Sequence, residues 1–206
     1  MHAVSEKSAI RESFLSKRRS LDPHRRAAAD RTICAILRDL LRTGRRPGRP
    51  ALAAVRRTVA GYVPTNGEPG GTDLPEALRD YHDRVLLPVL RSDLDLDWAE
   101  YTGPGCLQPA RWRLCEPAGP RLGADEVTTA SVLVVPAVAV DRSGVRLGRG
   151  GGSYDRALAR VPPRTLVVAL LYDGELIDRL PAEPNDRRVA AVIAPDSGFR
   201  HLDPTL

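Results

Sequence analysis

Apolar residues recur at helical spacing through the N-terminal part of the chain. The spacing predicts two amphipathic helices, at residues 5–19 and 23–41. Asp22 offers an N-cap to the second helix, and Pro23 stands at the first helical position, where its missing N–H is not needed. We therefore expect an N-terminal helical pair within residues 1–42 that packs on the rest of the chain.

Farther along the chain, apolar runs alternate with short helical patterns. Val, Ile, Leu and Ala dominate the runs, as in parallel strands that are buried on both faces. The predicted strands are residues 58–63, 84–90, 97–102, 131–140, 165–172 and 188–194. Helices are predicted at residues 73–81 and 153–160, and residues 103–123, rich in Pro and Gly, receive no assignment. This alternation predicts an α/β fold, a single three-layer, Rossmann-like domain over residues 1–206 with a mainly parallel sheet.

Basic residues are concentrated near the beginning of this chain of 206 residues and formal net charge +5. Residues 1–60 hold fifteen Lys and Arg against five Asp and Glu. Arginine replaces lysine almost throughout, which indicates a general compositional bias more than a surface selected for nucleic acid. We interpret residues 43–50, rich in Arg and Pro, as an exposed loop. No nucleic-acid partner is expected.

Cysteine usage and hydropathy indicate the compartment. Cys34, Cys106 and Cys115 form no Cys-x-x-Cys pair and leave one thiol over in any disulfide scheme, which fits a reducing environment. The first residues lack the apolar segment of a signal peptide, and the longest apolar runs are too short to span a bilayer. We expect a cytoplasmic monomer with no membrane partner.

A glycine-rich segment, residues 146–155, separates a predicted strand from a predicted helix. Four glycines occupy the five positions 148–152, and Arg146 and Arg149 lie in the same segment. Glycines leave backbone N–H groups accessible, and the start of a helix adds a partial positive charge, so the segment predicts a phosphate-binding loop. Ser153 is a candidate N-cap of the helix. A tight strand-to-helix turn without a ligand is the alternative interpretation.

The glycine-rich segment differs from two common nucleotide-binding loops. It does not end in the Gly-Lys-Ser/Thr of a Walker A loop, and no suitable acidic residue follows it at the spacing of the dinucleotide fingerprint. The two nucleotide-binding folds that carry these loops are therefore disfavoured.

Charged residues near the ends of the predicted strands supply candidate chemistry. They are Glu68, Arg146, Arg149, Asp155, Asp173 and Asp186. Mg²⁺ is commonly held by one or two carboxylates together with phosphate oxygens and water. Asp155 and Asp186 are therefore the candidate magnesium ligands. For Asp186, a solvated charge in a loop is the alternative.

Several motifs follow one another in a characteristic order. Residues 136–145 run directly into the glycine-rich residues 146–156. The shorter motifs are Lys7 with Arg11, Tyr62-Val63-Pro64 before Gly67-Glu68, Cys115-Glu116-Pro117, and Leu180-Pro181-Ala182-Glu183 before Asp186. In sequence, order and spacing, the chain resembles the 5-formyltetrahydrofolate cyclo-ligase family, also called methenyltetrahydrofolate synthetases, over nearly its whole length.

The resemblance implies ATP- and Mg²⁺-dependent cyclisation of 5-formyltetrahydrofolate to 5,10-methenyltetrahydrofolate, with release of ADP and phosphate through a phosphorylated formyl intermediate, an imino-phosphate. It implies catalytic roles for Arg149 and Tyr154 and magnesium binding by Asp155 and Asp186. The residues that it implies for ATP are Lys7, Arg11, Arg146, Leu147, Gly148, Arg149, Gly150, Gly151, Gly152, Ser153 and Tyr154. Those that it implies for the reduced folate are Val63, Glu68, Arg149, Gly150, Gly151, Gly152 and Ser153.

Two positions depart from the family pattern. Ser153 stands where the family usually has a tyrosine, and Asn185 where a histidine commonly precedes the metal-binding aspartate. These departures leave open a diverged relative that binds a nucleotide or phosphate without turning over folate. A basic nucleic-acid-binding protein is a further alternative. For Tyr154, packing against the protein and stacking on a ligand both remain open.

Overall fold

A computed structural model describes residues 2–44, 58–65, 67–80, 83–183 and 186–202, with side chains from residue 6 onward. Its α-helices are α1 (His2–Ser20), α2 (Pro23–Thr43), α3 (Leu74–Arg79) and α4 (Ser153–Arg160). Its strands are β1 (Thr58–Ala60), β2 (Arg84–Leu90), β3 (Leu96–Glu100), β4 (Leu107–Pro109), β5 (Cys115–Pro117), β6 (Ala130–Pro136), β7 (Ala139–Asp141), β8 (Arg146–Leu147), β9 (Leu166–Leu170), β10 (Leu176–Ile177), β11 (Ala191–Ala194) and β12 (Gly198–His201).

Within these residues, seven strands form the main sheet in the order β12-β11-β9-β6-β1-β2-β3. The five inner strands are parallel, and the edge strands β3 and β12 run antiparallel to their neighbours. Val59 of the inner strand β1 pairs with Val85 on one side and Val132 on the other. The predicted α/β fold with a mainly parallel sheet is confirmed.

Both faces of the main sheet are covered. Because side chains alternate along a strand, successive residues of β6 enter different cores: Val134 packs with Ile33 and Leu37 of α2, whereas Leu133 packs with Leu158 of α4. All five of these side chains are buried. The strands are therefore apolar throughout, as the sequence indicates, and the helices form the two outer layers.

Helix α2 begins as the sequence predicts and ends at Thr43, two residues later than predicted. The Asp22 carboxylate accepts hydrogen bonds from the backbone N–H groups of His24 and Arg25, both at 3.0 Å, and Pro23 occupies the first turn. Gly44 ends the helix in the left-handed conformation, with φ of 61°. These caps satisfy backbone groups that a helix leaves unpaired at its ends.

Helix α1 packs on a small sheet of β10, β7 and β8 rather than on the main sheet. Its Ile10 and Phe14 contact the buried Val138 and Leu147. This packing carries the basic face of α1 toward the loop that follows β8, and so it positions the N-terminal cations.

The structure corrects the prediction of one strand over residues 131–140. The chain leaves the main sheet after Pro136 and resumes as β7, which pairs with β8 and β10 in the small sheet. Proline has no N–H to donate to a continuing ladder, and the Pro136 carbonyl instead accepts a hydrogen bond from Arg146 at 3.0 Å.

The N-cap predicted at Ser153 is also wrong. Gly152 occupies the cap position with φ of 69°, and no side chain caps the helix. The positive φ that ends the glycine-rich loop requires glycine there, so Ser153 becomes the first helical residue.

The remaining differences concern the ends of elements. β1 ends at Ala60, earlier than predicted, and residues 103–123 contain short 3-10 helices and the β4–β5 hairpin. The antiparallel strand β12 was not predicted. Residues 45–50 of the predicted loop and Tyr81 of the predicted helix lie outside the described residues. Among the described helices, none is apolar over a length that could cross a membrane.

Candidate active site

The main sheet reverses its direction of growth at β1. The chain builds outward from β1 to β2 and β3 and later returns to β6, on the other side of β1. Loops that leave β1 and β6 therefore run to opposite sides and open a crevice at the carboxyl ends of these strands, where α/β proteins bind ligands. A cleft of about 1200 Å³ lies at this position.

The structure brings the residues singled out in the sequence to this one cleft, although they come from distant segments of the chain. They are Lys7, Arg11, Val63, Glu68, Arg146, Leu147, Gly148, Arg149, Gly150, Gly151, Gly152, Ser153, Tyr154, Asp155 and Asp186. Asp173 is the exception among the charged candidates. Its carboxylate accepts a hydrogen bond from the backbone N–H of Asp196 and lines a different cavity.

The glycine-rich loop crosses the cleft between β8 and α4. Gly150 and Gly152 have φ of 99° and 69°, a region that side-chain-bearing residues rarely adopt. At Gly148 a Cβ atom would stand 2.8 Å from Nη1 of Arg146. Glycine at positions 150 and 152 therefore allows the positive φ angles of the loop. Glycine at position 148 leaves room for the buried guanidinium of Arg146.

Arg146 is a fixed, buried cation, with only 3% of its side chain exposed. Its Nη1 donates to the Pro136 carbonyl at 3.0 Å, and its Nη2 donates to Oδ1 of Asp155 at 2.8 Å. The guanidinium carbon lies 5.8 Å from the centre of the Tyr154 ring. Its Nε is buried and has no hydrogen-bond partner among the described residues. This geometry holds one positive charge at the base of the glycine-rich loop.

A second ion pair joins the loop after β1 to the glycine-rich loop. Nε of Arg149 donates to Oε1 of Glu68 at 2.8 Å, while the backbone N–H of Thr65 donates to Oε2 at 2.9 Å. Glu68 is buried, whereas Arg149 keeps 40% of its side chain exposed. The carboxylate is thus fixed by the β1 loop, and the arginine is free to reorient toward a ligand.

Helix α1 contributes two further cations to the cleft. Nζ of Lys7 lies 2.7 Å from Oδ2 of Asp186 and 3.5 Å from Oε1 of Glu183. Nε of Arg11 donates to the carbonyl of Gly148 at 2.8 Å. Both contacts tie α1 to loops near the carboxyl ends of the strands, so the N-terminal helix closes one side of the cleft.

Tyr154 packs against both cores of the molecule. Burial, and then the charge of Glu68, raises the pKa of its phenol well above the ordinary value. The phenol therefore keeps its proton at neutral pH, and it can donate a hydrogen bond but cannot act as a base. The packing interpretation is confirmed, and contact with a ligand remains compatible with it because the residue also lines the cleft.

Comparisons with known proteins identify the family of this chain. The model of the 5-formyltetrahydrofolate cyclo-ligase family matches residues 3–195 of the chain. The chain belongs to this family. A 5-formyltetrahydrofolate cyclo-ligase of Mycolicibacterium smegmatis is 40% identical over 198 residues, which cover 94% of this chain and 95% of that protein. One from Escherichia coli is 36% identical over 144 residues, covering 67% and 78% of the two chains.

Solved structures agree with this membership of the cyclo-ligase family. The structure of 5,10-methenyltetrahydrofolate synthetase from Aquifex aeolicus matches with a TM-score of 0.75 and 26% identity, over 95% of this chain and 92% of that one. A synthetase from Mycoplasma pneumoniae shares the fold, with a TM-score of 0.70 and 22% identity, over 93% and 99% of the chains. The Rossmann-like fold and the enzymatic nature of the chain are thus shown.

The carboxylates of this cyclo-ligase family member suit magnesium only in combination with phosphate oxygens. The described residues contain no group of three or more acidic, His or Cys side chains that could hold a metal alone. Asp155 and Asp186 both line the cleft, and each is ion-paired, with Arg146 and Lys7 respectively. Two carboxylates with phosphate and water are a common magnesium environment, so the donor set fits the ion.

Sequence reasoning missed one wall of the cleft. It comes from the turn between β2 and β3 and from the hairpin in residues 103–123, and it includes Leu94, Trp112 and Glu116. Trp112 has a positive φ of 55°. It is also 61% exposed, and such exposure is unusual for so large an apolar side chain. The carboxylate of Glu116 accepts from the backbone N–H of Leu90 at 2.9 Å and ties the hairpin to β2. The sequence signal that could have identified this wall is an isolated Trp between two arginines.

The two departures from the family pattern have different outcomes. Ser153 lines the cleft at the start of α4, where a hydroxyl replaces an aromatic surface. Asn185 lies outside the described residues.

Proposed function

We propose that this protein catalyses ATP- and Mg²⁺-dependent cyclisation of 5-formyltetrahydrofolate to 5,10-methenyltetrahydrofolate, with release of ADP and phosphate, as a cytosolic monomer. Family membership supports the reaction. The observation that carries the assignment of residues is their convergence: cations, a glycine-rich loop and two carboxylates from distant segments line a single cleft at the reversal point of the sheet.

The triphosphate of ATP would lie along the glycine-rich loop. Backbone N–H groups between Gly148 and Ser153 and the N-terminal end of α4 favour negative charge there. Arg146 adds a fixed positive charge from below the loop, and Lys7 and Arg11 add two more from α1. The charges that oppose a triphosphate are therefore already in position before it binds, which is the condition for electrostatic catalysis.

The reduced folate would lie against the loop after β1. Val63 supplies an apolar surface, and the buried carboxylate of Glu68 can accept hydrogen bonds from the N–H groups of a pterin ring. Arg149, held by Glu68 in the structure, would turn toward the phosphoryl group as it moves from ATP to the formyl oxygen. Glu68 and Arg149 thus connect the folate and phosphate halves of the cleft.

The chemistry follows from the poor leaving ability of the formyl oxygen. That oxygen attacks the terminal phosphorus of ATP, and ADP leaves. N10 of the folate then attacks the activated formyl carbon, the carbon–oxygen bond breaks, and phosphate leaves as N10 loses its proton. Arg149 and the loop N–H groups would hold the transferring phosphoryl in line, and Tyr154 would donate a hydrogen bond. Such reactions depend mainly on positioning and charge neutralisation.

Magnesium would be held by Asp155 and Asp186 together with phosphate oxygens. When bound, the ion neutralises phosphate charge and orients the triphosphate. Lys7 and Arg146, which pair with these carboxylates in the structure, would then be available to the phosphates.

An absorbance assay tests the proposed reaction. Purified protein with ATP, Mg²⁺ and 5-formyltetrahydrofolate should develop the near-ultraviolet absorbance of the methenyl product, and omission of ATP should prevent it. Folded protein that gives no absorbance change would reject the reaction. If ATP but not the folate raised the melting temperature of that protein, a diverged nucleotide-binding relative would be favoured instead.

A further inference from the structure

A second cavity lies where α1 and α2 meet the segment after β9. Its volume is about 250 Å³, and none of its lining residues lines the active-site cleft. Phe14, Leu21 and the ring of Tyr172 give it an apolar wall. The cavity has no part in the proposed folate reaction, and it is smaller than the roughly 300–1,000 Å³ of sites for drug-sized ligands.

The charged residues of this cavity are mainly basic. They are Lys17, Arg18, Arg25, Arg26, Asp173 and Glu175. Arg18 and Glu175 neutralise each other through contacts of 2.6 and 2.7 Å. The other three cations face the carboxylate of Asp173 in the lining and that of Asp30, which interacts with Arg26 from beside it, so the cavity keeps an excess of one positive charge.

The guanidinium groups of Arg25 and Arg26 are available to a ligand. Neither guanidinium donates a hydrogen bond or forms a salt bridge within the described part of the chain, although Arg26 interacts electrostatically with Asp30. Each guanidinium offers a planar fork of donors that matches the oxygens of a phosphate.

A buried donor in the wall of the cavity supports the same conclusion. Arg18 keeps only 3% of its side chain exposed, and its Nη1 is buried with no hydrogen-bond partner among the described residues. The other nitrogens of this guanidinium are engaged by Glu175 and the carbonyl of Ala137. A buried donor without an acceptor is costly, so a shift that opened this nitrogen to the cavity would let an anionic oxygen satisfy it.

We propose that this cavity binds the phosphate group of a small phosphate monoester. A phosphate monoester carries about two negative charges at neutral pH, and the net positive charge of the cavity attracts them. Its oxygens would accept from Arg25 and Arg26, and Nη1 of Arg18 would become a further donor once it is opened to the cavity. The wall formed by Phe14 and Leu21 would contact the carbon part of the ligand. Free inorganic phosphate shares the anionic chemistry but lacks that carbon part.

Calorimetric titration of the full chain with glycerol 3-phosphate and with inorganic phosphate tests the proposal. We expect both to bind, and R25Q/R26Q to bind each about 100-fold more weakly, because two charge-assisted contacts are lost. The matched control is Arg31→Gln, an exposed arginine of α2 that lines neither cavity. This control should keep the affinity of the wild type. Tighter binding of glycerol 3-phosphate would identify a monoester, and equal binding the phosphate group alone.

Arg149→Gln separates this cavity from the glycine-rich loop, which could also attract phosphate. The affinity of the cavity for both probes should be unchanged in this variant, and any weakening should be confined to a separate binding event at the glycine-rich loop. Failure of both probes to bind would overturn the proposal. So would a single binding event that survives in R25Q/R26Q, is lost in Arg149→Gln, or falls equally in Arg31→Gln. Thermal unfolding of each variant verifies the fold, and none of these results depends on folate turnover.

Discussion

Three ion pairs, each between one cation and one carboxylate, line the active-site cleft. Arg146 contacts Asp155, Arg149 contacts Glu68, and Lys7 contacts Asp186. In each pair, the cation is one that the family resemblance implies for phosphate. Arg149 is the most exposed of the three cations, with 40% of its side chain accessible. It can therefore exchange its partner at the smallest cost.

Arg149→Gln tests the role of that residue. We expect kcat of the cyclisation to fall about 100- to 1,000-fold, because a charged donor to the transferring phosphoryl is removed. Stability should also fall, by about 1–3 kcal/mol, because the buried carboxylate of Glu68 loses its charged partner and keeps only the donors of Thr65. The absorbance assay measures kcat, and urea unfolding measures stability. Arg121→Gln, an exposed arginine outside the cleft, should behave as wild type. An unchanged kcat in Arg149→Gln would remove this residue from the mechanism.

Helix α4 is held in place by an ion pair at each end. At its start Arg146 contacts Asp155, and at its end Arg160 donates to both oxygens of Asp95, at 3.0 and 2.6 Å. Asp95 lies in the turn before β3, so this contact links the helix after the glycine-rich loop to an edge of the main sheet. The Arg160 guanidinium holds the pKa of Asp95 below its ordinary value of 3.8.

The stabilisation by Asp95 should depend on pH. Because the pKa of this carboxyl is lower in the folded state, its contribution is complete above the unfolded pKa and is lost as pH falls through the folded pKa. Asp95→Asn should lower the free energy of unfolding by about 1–2 kcal/mol at pH 7. Below about pH 3.8 the difference from wild type should shrink toward zero.

Urea unfolding at several pH values measures this dependence. Asp39→Asn is the control, since the pair of Asp39 with Arg42 is exposed and should contribute less than about 0.5 kcal/mol. An equal loss of stability in Asp95→Asn at pH 7 and pH 3 would contradict the assigned ion pair.

At the scale of helices and strands, the sequence predicts correctly the features that depend on residues close together in the chain. The N-cap of α2 and the bounds of β2 follow from local sequence, and both are confirmed. The end of β6 and the N-cap of α4 were predicted wrongly, although the bounds of α4 agree with the prediction. The chain leaves the main sheet after Pro136, whose carbonyl is used by Arg146, and Gly152 takes the cap position because the loop needs a positive φ there.

At the scale of the whole molecule, a buried ion pair joins α1 to the rest of the chain. Arg18 contacts Glu175 and the carbonyl of Ala137, and both charged side chains are almost fully buried. Burial raises the pKa of Glu175, and Arg18 opposes that rise. The same helix carries Lys7 and Arg11 to the cleft, so the pair also supports the proposed ATP site.

Arg18→Met should lower the free energy of unfolding by about 3–5 kcal/mol, because the carboxylate of Glu175 stays buried without its partner. The double variant R18M/E175M should recover much of this loss, since no unpaired charge remains. Arg18→Met should also raise KM for ATP, as α1 loosens. Urea unfolding and the absorbance assay measure the two effects. Equal stability of the single and double variants would show that the buried charge is not the cause.

A single unfolding transition in those experiments would also support the prediction that residues 1–206 form one domain, which stays a prediction here. The packing of α1 on the small sheet and of α2 on the main sheet is the structural reason to expect it.

The sequence by itself determined the apolar strands, the capped second helix and the glycine-rich loop, because each depends on residues close together in the chain. It also indicated the family, since the motifs keep their order and spacing. Only the tertiary structure decided which strands are neighbours, and thereby which residues meet. Lys7 reaches Asp186 across 179 positions, and Trp112 reaches the cleft from an unassigned segment. Such contacts arise from the packing of all layers together, which no local pattern contains.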